Sequence, residues 1–413
     1  MKVALVYPDL AHKGGAESVI VWTACGLLRR GHQVSVITAA AAPQLWPDFP
    51  EFARCVELVE TVPARRRRQR SLRTGKRIAA RLREFPLVVA HNRDGLLWAH
   101  GRASGRPGSP ALAWYCHEPP RNLYAAATES WLVGALQRDD VDARHPALLD
   151  LRRFLDKTEA TAWRRHRTRR KRRFERRYAR LPGHVLVNSA YTAATLEAAL
   201  GCRASVVHPG LPPRGPLPPA TGAPEGIAVI SGRGPKKNLM GVLAVAAELE
   251  ARGTLPGTQF HVWGVGTDGP EFREAVQRMG LRARVQLHGF LSDEAAAARL
   301  RSARLCLFLP FCEPFGLVAV EALQAGVPVL ASDHAGPAEI LEICGGGDTV
   351  DPMRPELVAD ALVGMLAEPA AEARWRAAAR AAGETADRAF SLDRHLDALE
   401  ALDPSRTQAP EIP

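Results

Sequence analysis

Two glutamates, Glu313 and Glu321, sit in the stretch FCEPFGLVAVEALQAGVPVLASD (residues 311–333), where almost every other side chain is apolar or small. A carboxylate in such surroundings needs a partner. Each of its oxygens can accept two hydrogen bonds, which suits it to hydroxyl groups. The pattern predicts a buried strand over ARLCLFLP, a turn at EPFG and a helix over residues 315–325 that Gly326 ends. Pro314 fits the start of that helix, where its missing N–H does no harm. The N–H groups of Phe315, Gly316 and Leu317 then face outward from a helix N-terminus, a natural anion site. Eight residues of helical rise keep the glutamates within ~12 Å of each other. That span matches a sugar joined through a diphosphate to a ribose, with Glu313 on sugar hydroxyls and Glu321 on the ribose.

A diphosphate also needs cations. SGRGPKKN (231–238) follows the apolar run IAVI and precedes a helical pattern, so Arg233 and Lys237 fall at the carboxyl end of a strand. Arginine grips phosphate with two N–H groups and lysine adds a point charge; Lys236 is the less favoured of the two lysines. Nearer the start, HKGGAES (12–18) places Gly14 and Gly15 in the first strand-to-helix connection, where a backbone without Cβ atoms can approach a ligand. WYCHEPPR (114–121) puts His117 and Glu118 at another strand end, and NSAYT (188–192) reads as a helix cap. DVD (140–142) has the form of a metal-binding DxD, but it lies among polar residues and reads as incidental, so no metal is expected.

The elements that must hold these residues are strands alternating with helices. VALVYP, a helix over about 16–30, GHQVSVITA, PLVVAHN, PALAWYCHE, GHVLVNS, a helix over about 190–200 and ASVVHPG form one series. After the Pro- and Gly-rich LPPRGPLPPATGAPEG (211–226), IAVISGR opens a second, which continues through TQFHVWGVG, ARVQLHGF, ARLCLFLP, GVPVLASD and DTVDP. Such alternation implies parallel sheets, which bind ligands at the carboxyl ends of their strands. The expected architecture is α/β: two doubly wound, Rossmann-like domains facing a cleft. Residues 1–210 form the first, with a helical insertion at 121–180. A linker at 211–226, a second domain at 227–385 and a C-terminal helix and tail at 386–413 complete the division.

Composition agrees. The chain has 413 residues, 46% hydrophobic and 24% charged, enough for two or three globular domains. Met1-Lys2 leads straight into the first strand, so no leader is expected, and no apolar run reaches the ~18 residues of a membrane span. Seven scattered cysteines without a CxxC pair point away from disulfides and zinc and toward a reducing, cytoplasmic compartment. The net charge of +11, from 55 basic and 44 acidic residues, gathers at 65–83 and 163–180. GC-rich codon usage on a solvated helix face is one account. Peripheral attachment to an anionic membrane through Arg164–Arg180 is another. Nucleic acid is not expected, because no recognition motif accompanies the arginines.

Taken together, GGAE, CHEPPR, NSAYTAATL, VVHPG, SGRGPKKN, HGFLSDEA, the stretch 313–333 and GPAEIL resemble the glycosyltransferases of family 4 over about residues 1–395. The resemblance implies the GT-B fold and retaining chemistry on a nucleotide-sugar donor. It implies that Arg233, Lys237, Glu313 and Glu321 bind the donor, that Gly15 approaches the diphosphate and that His117 stands by the transferred sugar. CHEPPR with a basic helical insertion is loosely similar to mannosyltransferases acting on lipid-linked oligosaccharides. The expected donor is GDP-mannose or a UDP-sugar and the acceptor a hydroxyl of a glycan, lipid-linked molecule or small molecule, with no cofactor. A sugar-nucleotide 2-epimerase and a non-catalytic nucleotide-sugar-binding protein are the alternatives. The chain departs from the family pattern at Ala335, where a second glycine often precedes Gly336, which leaves a contact near Gly336 and Glu339 open.

Overall fold

The computed structural model describes residues 1–64, 67–100, 111–141, 145–159, 162–213 and 225–404. Arg65 of the first arginine cluster, Asp142, most of the expected linker and the tail past 404 lie outside the described residues. Two compact units emerge. One takes Met1–Thr128, Thr158–Pro213 and the chain from Phe390 on; the other takes Glu129–Lys157 and Arg214–Ala389. The sequence division keeps 121–180 whole in the first domain and sets the C-terminal helix apart. In the structure the middle of that insertion belongs to the second unit and the C-terminal helix to the first.

Unit 1 is built on strands β1 (Lys2–Val6), β2 (Asp9–Leu10), β3 (Gln33–Thr38), β4 (Ala40–Ala41), β5 (Val56–Leu58), β6 (Leu87–His91), β7 (Ala111–Cys116), β8 (His184–Val187) and β9 (Ser205–Val206). Seven of these form a sheet in the order β5-β3-β1-β6-β7-β8-β9, and β2 pairs with β4 separately. The described pairings are parallel. Every residue of β6 is buried, which a parallel strand covered on both faces requires. Side chains alternate between two cores: Val3, Leu5, Val36 and Val89 pack on one face, Ala4, Val6, Ile37 and Val88 on the other. The C-terminal helix Leu392–Glu400 closes the first of these cores with Leu392, Leu396 and Leu399. Arg30 holds its polar side through Asp393, Asp397 and Glu400, at 2.7, 2.7 and 3.0 Å.

Unit 2 repeats the plan with β10 (Ile227–Ile230), β11 (Phe260–Trp263), β12 (Val285–Gly289), β13 (Leu305–Phe308), β14 (Val329–Ser332) and β15 (Gly347–Val350), in the order β12-β11-β10-β13-β14-β15. In each sheet the chain winds outward one way from its first strand, then returns to wind the other way. The reversal falls between β1 and β6 in unit 1 and between β10 and β13 in unit 2. At such a reversal two neighbouring connections leave the sheet in opposite directions and open a crevice at the strands' carboxyl ends.

Candidate functional site

In unit 2 the two connections at the reversal are those after β10 and β13, and they carry the charged residues singled out above. Lys237 ends a short 3-10 turn, Pro235–Lys237, and its Nζ donates to Glu313 Oε2 at 2.8 Å. The Glu313 side chain is 20% exposed and that of Lys237 43%, so the pair lies at the protein surface within reach of a ligand. Arg233 points elsewhere: its Nε donates to Glu271 at 2.8 Å, from a side chain 74% exposed. Lys236 forms an ion pair with Glu129.

The helix after β13 runs Leu317–Gln324 and begins two residues later than the sequence predicts. Gly316 is its N-cap, at φ +98° and ψ 57°, a left-handed conformation that favours glycine. A Cβ there would meet Pro337 Cγ at 2.9 Å. Pro314 therefore stands in the preceding bend, outside the first helical turn, and Phe315 is buried. The N–H groups at the helix start with no acceptor inside the helix are those of Leu317 and Val318, and Phe315 and Gly316 precede it. Glu321 lies on the helix itself, half-buried, while Glu313 does not, so helical rise does not set their separation.

Neighbouring segments hold the 310–316 loop. Gly336 N–H donates to Glu313 O at 2.9 Å, and a Cβ on Gly336 would lie 2.3 Å from Phe315 Cα. His334 Nε2 accepts from Cys312 N–H at 3.2 Å and its Nδ1 lies 3.2 Å from Asp333 Oδ1, which assigns the ring proton to Nδ1. Trp131 stacks on His334 with ring centroids 4.0 Å apart and planes 6° from parallel. Asp140 of the DVD motif is ion-paired with Arg138 at 3.0 Å and Arg354 at 2.5 Å. Those guanidinium groups lower its carboxyl to about 2.

In unit 1 the connections after β1 and β6 flank the reversal. Gly14 caps and Gly15 opens the helix Gly15–Arg29. Gly14 is extended, and a Cβ on it would meet only the flexible Glu17 side chain, at 2.5 Å. Glu17 Oε1 accepts from the Tyr7 hydroxyl at 2.7 Å. His117, at the end of β7, is 6% exposed. Its Nε2 lies 3.0 Å from His91 Nδ1, its N–H donates to Asn92 Oδ1 at 3.0 Å, and its carbonyl accepts from Asn188 Nδ2 at 2.9 Å. Burial lowers its imidazole to about 3, with His395 adding a smaller push, so the ring is neutral at neutral pH. His91 is driven down by burial too, and its Nε2 has no hydrogen-bond partner.

A reading of PLVVAHN as a strand alone passes over His91 and Asn92, which hold His117. The available signal was two polar residues at the carboxyl end of a fully apolar run. Asn92 holds φ +54°, a conformation asparagine tolerates better than most residues.

Family models match both halves of the chain. The family model for Glycosyl transferases group 1 matches residues 221–382, and that for Glycosyltransferase Family 4 matches residues 13–214. Among curated relatives, alpha-D-kanosaminyltransferase of Streptomyces kanamyceticus is 31% identical over 160 residues, 39% of this chain and 40% of that protein. A probable sucrose-phosphate synthase of Craterostigma plantagineum is 42% identical over 67 residues, 16% of this chain and 6% of that protein. The chain thus spans well under two thirds of the length of these relatives. Two solved structures share the fold over nearly the whole chain. HepE of Anabaena, in complex with UDP and glucose, superposes with a TM-score of 0.69 at 17% identity, covering 99% of this chain and 100% of that one. Sucrose-phosphate synthase of Thermosynechococcus elongatus gives 0.68 at 18% identity, with the same coverage. The two family models together take in nearly the whole described chain, and the protein belongs to the family 4 glycosyltransferases, with the GT-B fold.

Proposed function

We propose that the chain transfers a sugar, with retention, from a nucleotide-sugar donor to a hydroxyl of a glycan, lipid-linked or small-molecule acceptor. The observation that carries this reading is the Lys237–Glu313 pair at the unit 2 reversal, beside a helix whose first N–H groups have no acceptor within the helix and no side-chain cap. A cation next to a carboxylate offers both things a nucleotide sugar needs: Lys237 and Arg233 for the phosphates, Glu313 for sugar hydroxyls and Glu321 for the ribose. As the bond from the anomeric carbon to the phosphate breaks, the acceptor oxygen bonds to that carbon from the same side. Its proton passes to the departing phosphate oxygen. Arg233, Lys237 and the helix start stabilise the negative charge that develops there, the usual task of preorganised electrostatics. His117, neutral and held by His91 and Asn92, serves as a hydrogen-bonding group for the transferred sugar. No metal enters this scheme, and transfer is expected to survive EDTA.

HepE is described with UDP and with UDP-glucose, which favours a UDP-sugar over GDP-mannose as the first donor to try. No described helix is long and apolar enough to cross a membrane. A lipid-linked acceptor would be met from outside the bilayer, with Arg164–Arg180 drawing the chain to an anionic surface. The deciding experiment incubates the protein with radiolabelled UDP-, GDP-, ADP- and dTDP-sugars and a panel of acceptors. Label in a new glycoside, or its hydrolysis product, supports transfer. Isomerised donor with no glycoside identifies an epimerase, and binding without turnover a non-catalytic protein.

A further inference from the structure

Six arginines of the helix Ala162–Ala179 and the residue after it, Arg169, Arg172, Arg173, Arg176, Arg177 and Arg180, line a half-open pocket of about 650 Å³ in unit 1. They recur at spacings of three and four, so they share one side of the helix. Like charges at those spacings repel and work against the helix. The helix has one acid, Glu175, which is buried and turned to Arg93 at 2.6 Å, away from the arginine face. Backbone carbonyls partly compensate at two positions: Arg172 Nε donates to Leu123 O at 2.7 Å and Arg176 Nη2 to Ala199 O at 3.4 Å. Among the described residues, Arg169, Arg173, Arg177 and Arg180 have no carboxylate partner, and no carboxylate lines the pocket.

We propose that this pocket is a second anion site, built for a group bearing two or more adjacent phosphates and separate from the donor-phosphate residues Arg233 and Lys237. A planar guanidinium meets a phosphate through two parallel N–H bonds, and several forks on one face can share one diphosphate. The site is narrower than the diffuse membrane attraction proposed above, and it does not depend on it. The phosphates come either from a soluble molecule or from a lipid headgroup.

The test uses the full chain carrying Arg233→Ala and Lys237→Ala, so that the donor residues do not contribute, and titrates it with inorganic pyrophosphate at physiological salt. Two triple variants are compared in that background. One changes Arg173, Arg177 and Arg180 to Gln. The other changes Arg167, Arg170 and Lys171, on the same helix but outside the pocket, to Gln, with an equal loss of charge. The expected result is saturable one-to-one binding that weakens about tenfold or more in the pocket variant, the loss of at least one charge-assisted contact, and little in the other. The pocket variant should melt no lower than its parent, because repulsion has been relieved. Absence of pyrophosphate binding in the parent, equal weakening in both variants, or a lowered melting temperature confined to the pocket variant overturns the proposal. Vesicles of phosphatidylcholine with and without a polyprenyl diphosphate then separate the sources. Release from polyprenyl diphosphate vesicles by pyrophosphate identifies a headgroup as the ligand, and pyrophosphate binding without vesicle binding identifies a soluble one. Vesicle binding that pyrophosphate does not displace, and that both triples weaken alike, is diffuse attraction and, beside pocket-specific pyrophosphate binding, again identifies a soluble ligand.

Discussion

The two sheets place chemistry at or beside the same topological point but with opposite electrostatics. Beside the reversal of unit 1, at the ends of β6 and β7, two buried and neutral imidazoles meet: His91 and His117 touch at 3.0 Å, and Asn92 holds the backbone of His117. At the reversal of unit 2 the polar groups are charged and reach solvent, with Lys237 on Glu313 and Arg233 on Glu271. A dry neutral ring can orient a hydroxyl but cannot balance a phosphate. An exposed ion pair can exchange its carboxylate for phosphate at modest cost, because such pairs are worth only about 0–1 kcal/mol in water. Under the proposed function the contrast would assign sugar orientation to the neutral groups and leaving-group charge to the charged ones.

The largest effect should come from the charged side. Lys237→Ala or Arg233→Ala is expected to lower transfer by about two to three orders of magnitude, as loss of a preorganised charge at a leaving group does. Both side chains are exposed, so melting should change by no more than about 0.5 kcal/mol equivalent. Near-normal transfer in both variants would break the assignment of phosphate to unit 2. On the neutral side, His117→Ala should cost about 10–100-fold, the order of one or two hydrogen bonds to substrate. The sharper measurement is the pH profile. With its imidazole lowered to about 3, His117 does not change charge between pH 5 and 8. The rate should therefore show no inflection near 6.5 that disappears in His117→Ala; finding one would mean the ring is solvated and titrates normally.

A stability measurement tests the same contrast. His117 and His395 are lowered to about 3 and about 4 from an ordinary 6.5, both chiefly by burial. The unfolded chain therefore binds more protons than the folded one between pH 6.5 and 4. Stability is full above 6.5 and falls as pH drops through that window, by up to about 1.4 kcal/mol per pH unit for each imidazole. His395 is held between Thr23 Oγ1 at 3.1 Å and His208 O at 2.9 Å, so His395→Gln should lower stability at pH 7.5 and flatten the acid slope. An unchanged slope would show that other groups set the acid sensitivity.

The sequence made the sheets legible because a parallel strand buried on both faces is a continuous apolar run; LVVAH and LCLF could hardly be anything else. The helix predicted at 190–200 is found at Ala190–Leu200, where Ser189 accepts from Thr192 N–H and Gly201 ends the helix with φ +64°. Local chemistry fixes those boundaries. Where local signals gave way, a distant contact decided. The helix after Glu313 begins late because Gly316 is left-handed, at a place where a Cβ would strike Pro337 and crowd Phe308. Residues 129–157 go with unit 2 because Glu129 pairs with Lys236, Trp131 stacks on His334 and Arg138 reaches Asp351 at 2.6 Å. No periodicity within the insertion announces those partners, and none announces that His91 would meet His117 from another strand.

The smallest predicted effect concerns Ala335, the position that departs from the family pattern. Its backbone sits at φ +74° and ψ −168°, a region open essentially to glycine alone. Holding a residue with a Cβ there costs about 1–3 kcal/mol. Glycine would remove that strain but would also gain freedom in the unfolded chain, worth about 0.4–1 kcal/mol in the other direction. Ala335→Gly should therefore stabilise unit 2 by about 1 kcal/mol, a rise of about 2–4 °C in the melting of a unit this size. The strained residue immediately precedes Gly336, whose N–H holds Glu313 O at 2.9 Å, so the strain lies on the charged side of the comparison. Calorimetry of the variant, read beside its transfer rate, separates two roles. Higher stability with an unchanged rate makes Ala335 a tolerated flaw. Higher stability with slower transfer means that the strain helps to place Glu313. A melting temperature that stays put or falls would show that the surrounding structure relieves the strain, and the tension assigned to this loop would have to be given up.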